Sequence, residues 1–404
     1  MKKILLALVM MTLSMATYAS DVLYAEVSGT TMTLKCGNSV PDGAIKYDGR
    51  DYWNGVFRKT ITSAIVDESC ASYTGTNLSW LFWQCIYLQS INGLSNLNTA
   101  NVTNMTCMFC ECQSLASLDV SKFSTANVTY MEEMFADCFR LTELDLSMFN
   151  TSNVTSMRGM FWGCNALTTL DVRGWNTANV TDMSFLFSGC TKLTSLDLRE
   201  WDTANVKDMN TMFANCYTLT TLDLGAFNTT NVTNMNGMFS DCSGLTTLDL
   251  SMFDTTNVKD MSTMFSSCFN LITLDLSSFN TANVTKMRHM FTSDLALTTI
   301  YVSKWDTNKV EDDGGYMFGF CLKLVGGAGT KWNQDSTDLA YARIDCGADL
   351  PGYFTAKNTT GVKSVTKNET EAYYNLKGQS SYQPQHGINI VKMSNGTTRK
   401  IMVR

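Results

Sequence analysis

Residues 141–164 read LTELDLSMFNTSNVTSMRGMFWGC, and the phrase returns down most of the chain with other letters at its variable positions. Its anchor is a valine: Val102, Val128, Val154, Val180, Val206, Val232, Val258, Val284 and Val310 follow one another at intervals of 26 residues. A repeat of that period is the mark of a solenoid, in which each coil buries its apolar side chains against its neighbours. The repeat overrides the two or three domains that 404 residues would otherwise suggest.

Each coil divides in two. In the first half, Val128, Met131, Met134, Phe135 and Cys138 stand 3, 3, 1 and 3 residues apart. That spacing predicts one face of an amphipathic helix, with Asn127 or Thr129 placed to cap its start. In the second half, Leu141, Leu144 and Leu146 keep the L-x-x-L-x-L spacing of a leucine-rich-repeat strand, and Phe149 turns the chain inward. The expected fold is an α/β repeat solenoid of LRR-like strand–loop–helix coils. Its parallel strands would stack about 4.8 Å apart, with the helix half as crossover.

Outside the repeat, residues 1–19 read as a secretory leader: Lys2-Lys3, an apolar run from Ile4 to Met15, then Thr17-Tyr18-Ala19 at the cleavage site. Residues 20–75 read as an N-terminal β cap, in which Val22–Val27 and Thr31–Cys36 flank Ser28-Gly29-Thr30 as a hairpin. The solenoid is expected over 76–325, a C-terminal cap over 326–354, a polar linker over 355–371 and a small β module over 372–404. No run beyond the leader approaches the ~20 apolar residues that span a bilayer. The formal net charge is −7, and loss of Lys2 and Lys3 with the leader makes it −9. That charge argues against nucleic acid or an anionic membrane as partner.

Aligned coils turn the chain into columns. Cys85, Cys112, Cys138, Cys164, Cys190, Cys216, Cys242, Cys268 and Cys321 form one, broken by Asp294. Stacked equivalents about 4.8 Å apart miss the ~3.8 Å Cβ separation that a disulfide prefers, so buried thiols are expected. Cys107, Cys110 and Cys112 form C-x-x-C-x-C, but zinc sites of this kind use a second ligand pair at set spacing. Only His289 and His386 exist, both far off in sequence, so no metal site is expected. The methionines Met105, Met131, Met157, Met183, Met209, Met235, Met261 and Met287 read as core. Recurrent Asn-x-Thr at Asn127, Asn153, Asn179 and Asn231 reads as capping rather than glycosylation.

Between the inward strand residues runs an acidic column, Asp119, Asp145, Asp171, Asp197, Asp223, Asp249 and Asp275, ending at Tyr301. Alternation along a strand turns it outward. The candidate binding face is therefore Asp145, Asp171, Arg173, Asp197, Arg199, Asp223, Asp249, Asp275 and Tyr301, flanked by threonines such as Thr142, Thr168 and Thr194. Like charges this close need hydrogen bonds, a cation or a basic partner. No phosphate loop, H-E-x-x-H motif or His beside a nucleophile appears, so neither catalysis nor a cofactor is expected.

The phrase FNTSNVTSMRGMFWGCNALTTLDV (149–172) resembles the 26-residue repeat of BspA-like leucine-rich-repeat bacterial surface proteins, and the likeness covers roughly Leu81 to Leu324. The flanks KLVGGAGT and YARIDCGADLPGYF resemble that family's C-terminal flank, with Cys346 where Gly is expected. The tail YYNLKGQSSYQPQHGINIVKMSNGTTRKIMVR resembles the C-terminal sorting domain of type IX secretion, with Ser380-Ser381 in place of the usual Arg-Val. The resemblance implies an exported protein, on the cell surface or secreted. Its implied partners are proteins or glycans of host matrix or neighbouring cells. The alternatives are an envelope component without a specific ligand, or cation-dependent binding through the Asp column.

Overall fold

The computed structural model describes residues 22–49, 59–312, 314–357, 370–375, 380–381, 387–393 and 398–403. The expected leader, most of the linker and His386 lie outside the described residues. Two compact units emerge, Met1–Thr355 and Ala356–Arg404.

The first unit is a stack of coils whose inward positions are all buried. Val128, Met131, Met134, Phe135, Cys138 and Leu141 have no exposed surface, and Leu144, Leu146 and Phe149 have 8% or less. The phenylalanines stack along the axis: Phe109–Phe135 at 5.8 Å, Phe135–Phe161 at 5.9 Å and Phe161–Phe187 at 5.8 Å, with ring planes within 10°. This offset stacking adds about 0.5–1.5 kcal/mol per pair to the area buried.

The predicted helices are not there. Among the described residues the only helical segments are three short 3-10 turns, Glu68–Ser72, Leu94–Asn96 and Leu339–Tyr341. Between Met131 and Cys138 the backbone alternates its partners. The N–H groups of Glu133, Phe135 and Asp137 donate across to Arg158, Met160 and Trp162 of the next coil, at 2.8, 3.0 and 2.6 Å. Those of Met134, Ala136 and Cys138 donate three residues back, at 3.3, 3.1 and 3.2 Å. The result is a wall of tight turns bonded coil to coil. Its geometry needs a left-handed residue every fourth position, at Glu133 (φ 54°) and Asp137 (φ 55°), and at Gly159, Gly163 and Gly189 in later coils. A left-handed residue cannot continue a right-handed helix. The 3-3-1-3 spacing fits both arrangements, because each turn also returns its third residue inward.

The strand half is also less regular than expected. Among the described residues of the later coils, only β6 (Thr273–Asn280) and β7 (Thr299–Lys304) pair as parallel strands, joined by β8 (Phe354–Ala356) in the order β6-β7-β8. Their register slips between Leu276 and Asn280. The physical reason lies in the acidic column: Asp275 Oδ1 accepts the Ser277 N–H at 3.0 Å. The same turn recurs as Asp145 to Ser147 (3.0 Å) and Asp249 to Ser251 (2.9 Å). Each removes one donor from a would-be ladder.

The N-terminal end is closed by β1 (Val22–Ser28) and β2 (Thr31–Gly37), an antiparallel hairpin turning at Gly29 (φ 59°). With β3 (Ile45–Lys46), β4 (Ser63–Val66) and β5 (Ser90–Asn92) it makes a five-stranded sheet ordered β3-β1-β2-β4-β5. The β2–β4 and β4–β5 pairs are parallel, so the hairpin hands over to the direction of the stack. At the other end Phe354 meets Trp305 and Phe318 edge-on at 4.8 and 5.7 Å. The second unit is an antiparallel sheet ordered β10-β9-β11-β12, from β9 (Thr370–Asn375), β10 (Ser380–Ser381), β11 (Gly387–Met393) and β12 (Thr398–Val403).

Candidate binding face

Most polar columns are consumed by the scaffold. Asn153 Nδ2 donates to Ala126 O at 2.7 Å and Asn179 Nδ2 to Ser152 O at 2.8 Å. These amides bridge neighbouring coils, which corrects the expectation that they cap a helix. Buried threonines missed by pattern reading do the same. Thr125 Oγ1 donates to Asn150 O (3.0 Å) and accepts the Asn150 N–H (2.7 Å). The column thiols from Cys112 to Cys321 are free and buried. Each donates to a carbonyl of the preceding coil, as Cys164 Sγ does to Phe135 O at 3.2 Å. Burial pushes the Cys138 and Cys216 thiols up to about 12, so they are unreactive donors as well as small apolar groups.

The acidic column is what remains accessible. Asp145 lies between buried Leu144 and Leu146 and is exposed, as are Asp171, Asp223 and Asp249, while Asp197, Asp275 and Tyr301 are half-buried. Asp145 with Asp119, Glu143, Asp171 and Thr169 lines a groove of about 480 Å³. Asp197, Arg199, Asp223 and Asp249 line a second, of about 350 Å³, with Thr221 and Thr247. Asp275 and Tyr301 face each other in register on β6 and β7. The predicted residues thus fall into three neighbouring groups along one surface.

Hydrogen bonding lowers the pKa of Asp145, Asp171, Asp197 and Asp249. The Ser147 N–H lowers Asp145 and the Ser251 N–H lowers Asp249. The fork of Arg199, bonded to Asp197 at 2.9 and 2.7 Å, takes that carboxyl down to about 2. Arg173 grips Asp171 likewise at 3.0 and 2.8 Å. Both arginines neutralise the acid of their own coil. Among the described residues no ion pair reaches Asp145, Asp223 or Asp249.

Sequence reasoning missed a second surface, the outer side of the turn wall. There Trp162 and Phe185 lie 6.3 Å apart and the Arg158 guanidinium sits 5.8 Å over the Phe185 ring. His289 is stacked on Tyr316 at 5.9 Å on that wall, away from the acidic face. The signal available was departure from the repeat: large or reactive residues where other coils carry Gly, Ser or Ala. Among the described residues no helix is long and apolar enough to cross a membrane.

Among known proteins, a solved leucine-rich-repeat protein from Bacteroides ovatus aligns with 76% of this chain and 92% of its own, at 16% identity and a TM-score of 0.29. The search of curated proteins returned no match. A family model described as "Mycoplasma protein of unknown function, DUF285" matches residues 76–194, 164–271 and 241–342, in overlapping copies that run the length of the coils. The repeats make this chain a member of the DUF285 family.

Proposed function

We propose that the chain is an exported binding protein, displayed on the cell surface or secreted, which takes a protein or glycan partner on its acidic face by many polar contacts. The observation that carries this reading is the division of labour between columns. Met, Phe, Cys, Asn and buried Thr are spent on coil-to-coil packing and bonding, whereas Asp145, Asp223 and Asp249 are exposed and, among the described residues, without an ion pair. Two adjoining grooves give a partner relief to fit, and the uncompensated carboxylates favour a cationic surface patch or basic side chains. The leader-like residues 1–19 and the tail that resembles a type IX sorting domain support export.

The test is a binding screen of the purified chain against extracellular-matrix proteins and polysaccharides, followed by charge reversal at Asp145, Asp223 and Asp249. Any authentic hit should weaken by about tenfold or more and become less salt-sensitive. Unchanged binding would move the site off this face. Loss of the hit in chelator would favour the cation-bridged reading instead. Protease shaving of intact cells tests display, and full protection would refute it.

A further inference from the structure

One side-chain cluster on the turn wall stands apart from the core of the stack. Cys112 points inward and donates to Phe82 O at 3.2 Å, like its column. Cys107 and Cys110, from the same C-x-x-C-x-C run, instead form a small cluster apart from the core, with Ala136 behind them and Trp80 and Trp83 packed against them. A single turn, with the Cys110 N–H on Cys107 O at 3.2 Å, brings both thiols to one side. The next coil supplies Glu133, whose Oε2 accepts from Cys107 Sγ at 3.5 Å and whose Oε1 takes Arg158 Nη1 at 2.9 Å. The two sulfurs and a Glu133 oxygen all lie within 4.8 Å of one another. Other coils carry Gly159 and Trp162, Phe185 and Ser188, or Thr211 and Ala214 at the equivalent places, so this donor set occurs once.

We infer that Cys107, Cys110 and Glu133 form a site for a thiophilic divalent cation of the zinc class, with the fourth coordination position open. Ligands at about 2.3 Å (S) and about 2.0–2.2 Å (O) around a tetrahedral ion stand roughly 3.5–3.8 Å apart. Side-chain rotation of about an ångström closes the present spacing to that. Stacking supplies the third ligand: Glu133, 26 positions after Cys107, stands beside it. Binding breaks two S–H bonds and delivers two protons to solvent, with no change of oxidation state; the ion accepts two thiolates and one carboxylate.

The charges around the site favour a cation over a redox dithiol. Glu111, held by Gln84 Nε2 at 3.1 Å, and Glu133 stand beside it, with the Arg158 guanidinium on Glu133.

The test is cobalt(II) titration of the full-length chain, purified with reductant and freed of metal. One equivalent should bind, with the intense thiolate-to-cobalt absorption of a tetrahedral sulfur site. Zinc should displace it and should protect Cys107 and Cys110 from alkylation in peptide mapping. Cys107→Ser with Cys110→Ser should abolish the absorption. Glu133→Gln should weaken binding by at least the about tenfold that an outer-shell loss costs. Cys346→Ser, the exposed thiol elsewhere, should leave it intact. No absorption, absorption that survives the double variant, or a Cys107–Cys110 disulfide in the protein isolated without reductant would each overturn the assignment. Alkylation protection is read on the unaltered chain, so the test stands even where the double variant fails to fold.

Discussion

Asp294 is where the cysteine column changes chemistry. It is 1% exposed. Its Oδ1 accepts the Cys268 N–H at 2.9 Å, and its Oδ2 is buried without a hydrogen-bond partner. Burial raises its pKa well above the ordinary carboxylate value, so the folded chain holds a proton there that the unfolded chain releases above about pH 4. A raised acid pKa means that the folded state binds more protons, so stability falls as pH climbs from about 4 through the folded pKa. Asp294→Cys restores the column and its Sγ–carbonyl bond. It should stabilise the chain at pH 7 by about 1–3 kcal/mol, the cost of a buried unpaired polar atom, and by much less at pH 4. Thermal melts at both values check this, and an equal gain at both would refute the linkage. The aspartate was legible as a break in the column. Its cost was not, because only the packed neighbours show that one oxygen lacks a donor.

At the scale of the element, the turn wall stands or falls on its left-handed positions. Gly189 has φ 75°, and an added Cβ would meet Gly163 Cα of the preceding coil at 3.3 Å. Gly189→Ala should therefore cost about 1–2 kcal/mol, the usual penalty for an L-residue in that region. Denaturant unfolding measures it. A neutral result would mean that the wall relaxes into helix-like backbone. These glycines explain what could and could not be read beforehand. The inward set Val128, Met131, Met134, Phe135 and Cys138 was visible from periodicity alone. Periodicity constrains which side chains return inward, and not the hand of the residues between them. Gly159 four residues before Gly163, and the column Gly163, Gly189, Asn215 and Asp241 at 26-residue intervals, were the discriminating signal, since Gly, Asn and Asp tolerate positive φ and are poor helix formers. On the acidic face the residues were legible and the self-satisfying Asp turns were not, because an Asx turn and a strand share the same L-x-L pattern around the aspartate.

For the whole molecule, one axis of stacking couples every coil to the next, so titration at any column is felt as stability of the array. Two sets of carboxylates act in opposite senses. Asp119, Asp145, Asp171, Asp197 and Asp249 are lowered by hydrogen bonds to Ser121, Ser147, Arg173, Arg199 and Ser251. Their stabilisation is complete above the unfolded value of about 4 and drains as pH falls toward about 2, where Asp197 titrates. Asp137, raised to about 6 by burial and by Glu111 and Glu133, and Asp208 and Asp294, raised by burial, do the reverse. Folded Asp137 holds its proton up to about pH 6, and Asp208 and Asp294 hold theirs above the ordinary carboxylate range, so each lowers stability as pH rises through its own titration. The two trends meet near pH 4. The melting temperature should therefore peak on the acid side of neutrality, falling steeply below about pH 3 and more gently toward pH 7. Asp145→Asn with Asp249→Asn should flatten the acid limb, and Asp294→Cys with Asp137→Asn the neutral limb. Melts from pH 2 to 8 at fixed ionic strength decide it. A summit at pH 7 or above would show that the exposed, self-bonded aspartates do not govern the acid side and that the buried ones are compensated in the folded array.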